Sequence, residues 1–226
     1  MLVATAMTAM FLGLLYGMFL PVLGISSASS AKSDTLGAAT TALYQLEADI
    51  RVSTTFGISV SATPTAPPAT LGSSAETETM AFEVPEKFVN ANDSYGQFLY
   101  DSGTGLANFE SYVVWALVPQ QTGGNCSSGD PCDLYRTTWD SGSASTAAAY
   151  ISSTQLASIV NTISTTGRLM ARNVTSFQMA NQTVPCGGCQ GVARPEVDIE
   201  MAVQSQDQSG NWSQTSYQTQ VFDRNN

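Results

Sequence analysis

The chain carries no charged side chain before Lys32, and its first 25 residues, Met1–Ile25 (MLVATAMTAMFLGLLYGMFLPVLGI), are almost wholly apolar. As a helix rising about 1.5 Å per residue, such a stretch would span the roughly 30 Å hydrocarbon core of a bilayer. It therefore reads as a membrane or filament segment. Ala9, Gly13 and Gly17 recur every four positions, a small-residue row that lets helices approach closely in apolar surroundings. The plainer alternative is that glycine is common in membrane helices. Pro21 removes a backbone donor, so a kink is expected there.

After the Ser-rich patch at 26–30, a helical period returns. Leu36, Ala39, Leu43, Leu46 and Ile50 recur at three- and four-residue steps and form one apolar stripe. Lys32, Asp34, Gln45, Glu47, Asp49 and Arg51 fall largely off it. Leu36, Leu43, Leu46 and Ile50 are thus expected to pack this half-helix on a globular head, with the helix ending near Thr54–Gly57.

From Ile58 the pattern changes to strands. Met80, Phe82 and Val84 alternate with Ala81 and Glu83, and Ser111–Val118 is a nearly continuous apolar run closed by Pro119. Further strands are expected at Leu134–Trp139, at Arg168–Ala180 with a bulge at Arg172–Asn173, at Val197–Val203 and at Trp212–Phe222. The last two should form a hairpin, and a short helix is expected around Ser153–Ile163. The three segments are 1–25, an apolar stem; 26–56, its amphipathic continuation; and 57–226, a β-rich head outside the cytoplasm. The expected fold class is α+β: a long kinked N-terminal helix, apolar half for membrane or filament and amphipathic half on the head, beside an antiparallel sheet.

The net charge of −10 argues against nucleic acid as a partner, because phosphates would repel such a surface. The absence of histidine removes the commonest general base and metal ligand together. A Ser–Lys dyad would have to use Lys32, at the stem, or Lys87, in an exposed-looking turn, and no catalytic set is assigned.

Cys126, Cys132, Cys186 and Cys189 fall in two close pairs. Cys186-Gly-Gly-Cys189 lacks the βαβ setting of a redox C-x-x-C, and the loose spacing of the first pair suits a zinc site poorly. Two disulfides are expected. Proximity favours local over crossed pairing, though spacing does not fix the connectivity. The loop carboxylates Asp101, Asp130, Asp133 and Asp140 offer calcium chemistry but no repeated acidic spacing, so no metal or cofactor is expected beyond that calcium alternative. Trp115, Trp139 and Trp212 are read as core.

Three pieces of the chain together resemble type IV pilin-like proteins, notably minor pilins and the J-type minor pseudopilin of type II secretion. They are LVATAMTAMFLGLLY (Leu2–Tyr16), ALYQLEADIRVS (Ala42–Ser53) and the C-terminal order RLMARNVTSFQMA, ARPEVDIEMAV, VFDRNN. The middle, about 61–167, carries no resemblance. Family members begin with a basic leader, a Gly cleavage point and a glutamate ahead of the apolar run. None of these precedes Leu2 here, so the start of translation is expected upstream. The resemblance implies a structural subunit that sits in the inner membrane as a single-pass protein, then in a filament of other pilin-like subunits, in a priming or tip complex. The alternatives are a single-pass anchored binding or sensor domain, and a secreted protein cleaved after Ala31.

Overall fold

The computed structural model describes residues 2–53, 58–61, 69–70, 75–76, 78–121, 124–126, 130–146, 151–184, 194–206 and 211–222. Helical backbone is assigned over α1 (Leu2–Val52). There follow β1 (Ile58–Ser61), β2 (Ala69–Thr70), β3 (Ala75–Glu76), β4 (Thr79–Val84), β5 (Glu86–Lys87), β6 (Gln97–Phe98), β7 (Phe109–Pro119) and β8 (Cys132–Ser145). Helix α2 (Ser153–Thr166), β9 (Arg168–Val184), β10 (Arg194–Gln206) and β11 (Trp212–Phe222) complete the order.

One antiparallel sheet dominates, ordered β11-β10-β9-β8-β7-β4-β1-β2, with β3 added to β9 and β5–β6 forming a separate ribbon. Its two faces hold two cores. On the first, Met80, Phe82, Val113, Trp115, Leu134, Phe177, Met179 and Ile199 meet Ala39, Ala42, Leu43, Leu46 and Ile50 of α1. On the second, Ala81, Tyr112, Val114 and Ala116 meet Leu156, Val160 and Ile163 of α2. The result is three layers with the sheet in the middle, which explains why β7 reads as a near-continuous apolar run: a strand covered on both faces loses its polar alternation. All six residues of β4 are buried, Glu83 included.

This corrects the expected fold class. The described residues build mostly antiparallel sheet, and the helix that belongs to this body is the 21-residue stretch 32–52, so the long N-terminal stem is overturned. No helix among the described residues is long and apolar enough to cross a membrane, which gives no support to single-pass anchoring. The physical reason lies in the stripe. Polar residues return from Ser26 onward, and the apolar positions after them are used against the sheet. Leu43, Leu46 and Ile50 are buried there and Leu36 is half-buried.

The helix ends at Val52, where the Ser53 hydroxyl donates to the Ile50 carbonyl at 2.8 Å. Helix α2 opens on a capping box between Ser152 and Gln155, a reciprocal arrangement that satisfies two otherwise orphan amides. It stops at Gly167, where an added Cβ would lie 2.7 Å from the Ile163 carbonyl oxygen and 3.0 Å from that of Arg136. Only glycine lets β9 start so close to the helix end. Further along β9, Asn173 adopts φ +57, a left-handed conformation that asparagine tolerates, beside the register shift between β9 and β10.

Candidate functional site

The most specific chemistry in the protein lies where α1 meets the sheet. Trp115 and Arg136 are Cα partners across β7 and β8, so both point to the α1 face, where the next turn of helix after Gln45 presents Asp49. Arg136 grips the Asp49 carboxylate with both arms of its guanidinium: Nε to Oδ2 at 2.9 Å and Nη2 to Oδ1 at 3.1 Å. The Trp115 indole donates to Oδ2 at 2.8 Å and the Gln45 amide to Oδ1 at 3.2 Å.

Arg136 is 1% exposed and Asp49 6%, so this is a buried ion pair. Burial pushes the Asp49 carboxyl above its ordinary range, and the hydrogen bond and charge of Arg136 pull it back. All four hydrogen bonds to it, from three residues, are donated to the carboxylate, which makes the ionised carboxylate the form this pocket is built to hold.

The same cluster fastens the loop that joins β5 to β6. Arg136 Nη1 donates to the Asp93 carbonyl at 2.6 Å, and Gln45 Nε2 to the Ser94 carbonyl at 3.0 Å. Arg136 also lies over the Phe88 ring, 5.8 Å from its centre. Next to it, Glu86 accepts from the Gly96 amide at 2.8 Å, and partial burial raises its pKa against that bond. Helix, sheet and the 86–98 ribbon are thereby pinned at one point.

Two small clefts border this region. One of about 20 Å³ sits between Asp49, Val52, Glu86 and Tyr95. The other, of about 130 Å³, lies between Phe88, Ala91, Ser111 and Trp139. Both fall well below the roughly 300–1,000 Å³ of a small-molecule site. Large apolar side chains are also exposed on the excursion between β4 and β7, where Val89, Tyr95, Phe98, Tyr100 and Leu106 face outward.

Of the residues singled out in the sequence, Cys126 and Cys132 form a disulfide, with Cα atoms 5.8 Å apart, inside the α1-face core. That bond excludes crossed pairing; Cys186 and Cys189 lie outside the described residues. Gly13 and Gly17 stand open, with nothing within 4 Å of an added Cβ. The side chains of Ala9 and Pro21 lie outside the described residues.

The loop carboxylates are not gathered. Asp101 accepts from Gly103 and Thr104, Asp130 from Asn125, Asp133 from Gln120, and Asp140 from Gly142. Among the described residues no group of three or more His, Cys, Asp or Glu is placed to hold a metal. Lys32 is exposed, and Lys87 pairs with Glu110 at 3.2 Å.

Three sequence readings need correction. Asp49 and Gln45, taken as lying off the apolar stripe, are built into the contact with the sheet. Trp115 is fully buried, but Trp212, read as core, is half exposed. The Arg136 site carried one usable signal: in Leu134-Tyr-Arg136, the arginine shares its face with a core leucine, so the strand period itself turns a charge inward.

Against known proteins, no family model, no curated protein and no solved structure matches the chain. What the fold and the site define is a class by architecture: an antiparallel sheet layered between two helices, with one helix fixed through a buried Asp–Arg pair.

Proposed function

We propose that this chain is a structural subunit of a pilin-like filament, a minor pilin or pseudopilin, whose partners are other pilin-like subunits and whose head lies outside the cytoplasm. The supporting observation is the fixing of 32–52 to the sheet by Asp49, Arg136 and Trp115. A subunit held by its N-terminal residues transmits load into its head through that helix. Apolar side-chain contacts alone slide under axial load, whereas a bidentate ion pair with a third donor sets one register.

The uncharged stretch 1–25 supplies a surface for like neighbours, with Gly13 and Gly17 open for close approach. The Cys126–Cys132 disulfide fits an oxidising compartment. Which assembly the subunit serves, pilus, competence or secretion, is decided by its neighbours.

The test is fractionation of the cells that make it. Surface filaments are sheared off or secretion complexes isolated gently, and single-cysteine variants at Gly13 and Gly17 are cross-linked in place. Cross-links to pilin-like subunits, identified by mass spectrometry, are the expected result. Recovery of the chain only in fractions free of such subunits overturns the proposal.

A further inference from the structure

The sheet begins with β11, and β11 is unusual for an edge. All eleven of its residues pair with β10, from Gln206↔Trp212 to Glu196↔Phe222, with no register shift. No strand among the described residues pairs with its other side. An edge of this kind is a row of unpaired amides and carbonyls, and proteins ordinarily blunt it with charges, proline, bulges or a very short strand.

β11 (WSQTSYQTQVF) has no charged residue, no proline and no bulge. In a chain of net charge −10, eleven neutral residues at the one long edge are a distinct surface. The opposite end of the sheet shows the usual protection, because it tapers to the two-residue strand β2.

The sequence of β11 also complements itself. Laid antiparallel on a second copy about Tyr217, it sets Trp212 opposite Phe222, Gln214 opposite Gln220, Thr215 opposite Thr219 and Tyr217 opposite Tyr217. Every pair joins residues of equal parity, so paired side chains share a face of the sheet. Aromatic–aromatic and Thr–Thr pairs are among those that stabilise cross-strand neighbours.

On the neighbouring strand β10, the charged residues Glu196, Asp198 and Glu200 lie opposite Phe222, Gln220 and Gln218. Across the joint, β10 of the copy lies three strand spacings away, roughly 14 Å, and the register offsets each carboxylate further from its own counterpart along the strand. That exceeds the screening length of about 8 Å at physiological salt.

From these observations we infer that β11 is the docking edge for a second copy of this chain. The two copies pair antiparallel about Tyr217 and make one continuous sheet. The interface is isologous, so it closes at two copies and does not propagate into fibres. It stands on the sheet edge alone and does not require the filament reading.

The experiment uses the purified full chain in a non-ionic detergent. Gln214→Cys and Gln220→Cys are made singly; both positions are exposed. In this register 214 of one copy lies opposite 220 of the other, and each position is about 20 Å from its own copy. Mixing the two variants under mild oxidation should give a cross-linked dimer, and neither variant alone should.

Sedimentation of the native chain should show reversible dimerisation that tightens from low to physiological salt. Ser216→Lys with Gln218→Lys places lysine opposite lysine twice, on exposed positions, and should raise the dissociation constant about tenfold or more. The urea midpoint of that variant should stay unchanged, which shows that the fold is intact.

A chain that stays monomeric, or cross-links that form equally in the single variants, overturns the inference. So does a dimer that survives both lysines, which is the outcome expected of association through residues 1–25. Capture of a different protein's strand by a chain that never pairs with itself overturns it as well.

Discussion

Removing the Asp49 carboxylate should loosen the helix from the sheet more than any other single change of comparable size. Asp49→Ala deletes the acceptor of two Arg136 bonds, at 2.9 and 3.1 Å, and of the Trp115 bond at 2.8 Å. Two unit charges about 4 Å apart attract by about 4 kcal/mol at an effective dielectric constant near 20. Breaking a buried pair from one side typically costs about 3–5 kcal/mol, because the surviving charge stays buried. Against a domain stability of about 5–15 kcal/mol this is a large fraction. For a chain of this size it lowers the melting temperature by roughly 6–20 °C.

Arg136→Met should cost a similar amount, since it strands the carboxylate instead. The decisive measurement is the double variant. Asp49→Ala with Arg136→Met leaves no buried charge, so it should lose at least about 2 kcal/mol less than the sum of the single losses. Urea unfolding read by tryptophan fluorescence supplies all four free energies, with Trp115 reporting from the site itself. Single losses below about 1 kcal/mol, or a double loss equal to the sum, would refute the reasoning.

Two other expectations concern local geometry. Gly167→Ala drives a methyl against the Ile163 and Arg136 carbonyl oxygens and should cost about 1–3 kcal/mol in the same urea assay; a neutral result would show that α2 and β9 move apart easily. The Asp101 carboxyl is held below its ordinary value of 3.8 by the amides of Thr104 and Gly103 and the Thr104 hydroxyl. Its contribution to the 101–105 turn is present above 3.8 and is lost as pH falls through the lowered folded value, so the Gly103 and Thr104 amide resonances should shift with a midpoint below 3.8. A midpoint at or above 3.8 would contradict those bonds.

The strands were legible where one physical rule governed them. Val197, Ile199, Met201 and Val203 alternate because one face of β10 meets α1, and β11 runs over Trp212–Phe222, the expected second arm of the hairpin. β8 ran past the expected Trp139 to Ser145, because pairing with β7 continues through a register shift that no side-chain pattern announces. The stem is not legible for a different reason. Hydropathy tells which surroundings a segment prefers, and the apolar character of 1–25 says nothing about what the folded body does with 32–52. Asp49 was misplaced because a carboxylate on a helix is ordinarily assigned to water, although Ala42, Leu46, Asp49 and Ser53 follow the helical step as well as any apolar set.

Asp49 and Arg136 taken together locate the site. An inward arginine on a strand and an acid on the buried stripe of a helix are each costly alone. Each becomes tolerable only if the fold brings them into contact, so the pair constrains the packing more tightly than the leucines around it. Leu43, Leu46 and Ile50 would fill the same groove if α1 slid by one turn, since a stripe repeats every three or four residues. Asp49 would then lose Arg136 and leave two charges buried. The ion pair therefore specifies the register more than it adds stability. Because α1 lies across β9, β10 and β11 as well as reaching β7 and β8 through Asp49, that same register fixes the helix over the strands next to the open edge. A variant that frees the helix, such as Asp49→Ala, should then weaken pairing of β11 with a second copy without any change at the edge itself. If edge pairing survives a helix shown by hydrogen exchange to have loosened, the edge is held by β10 alone and the two features are independent.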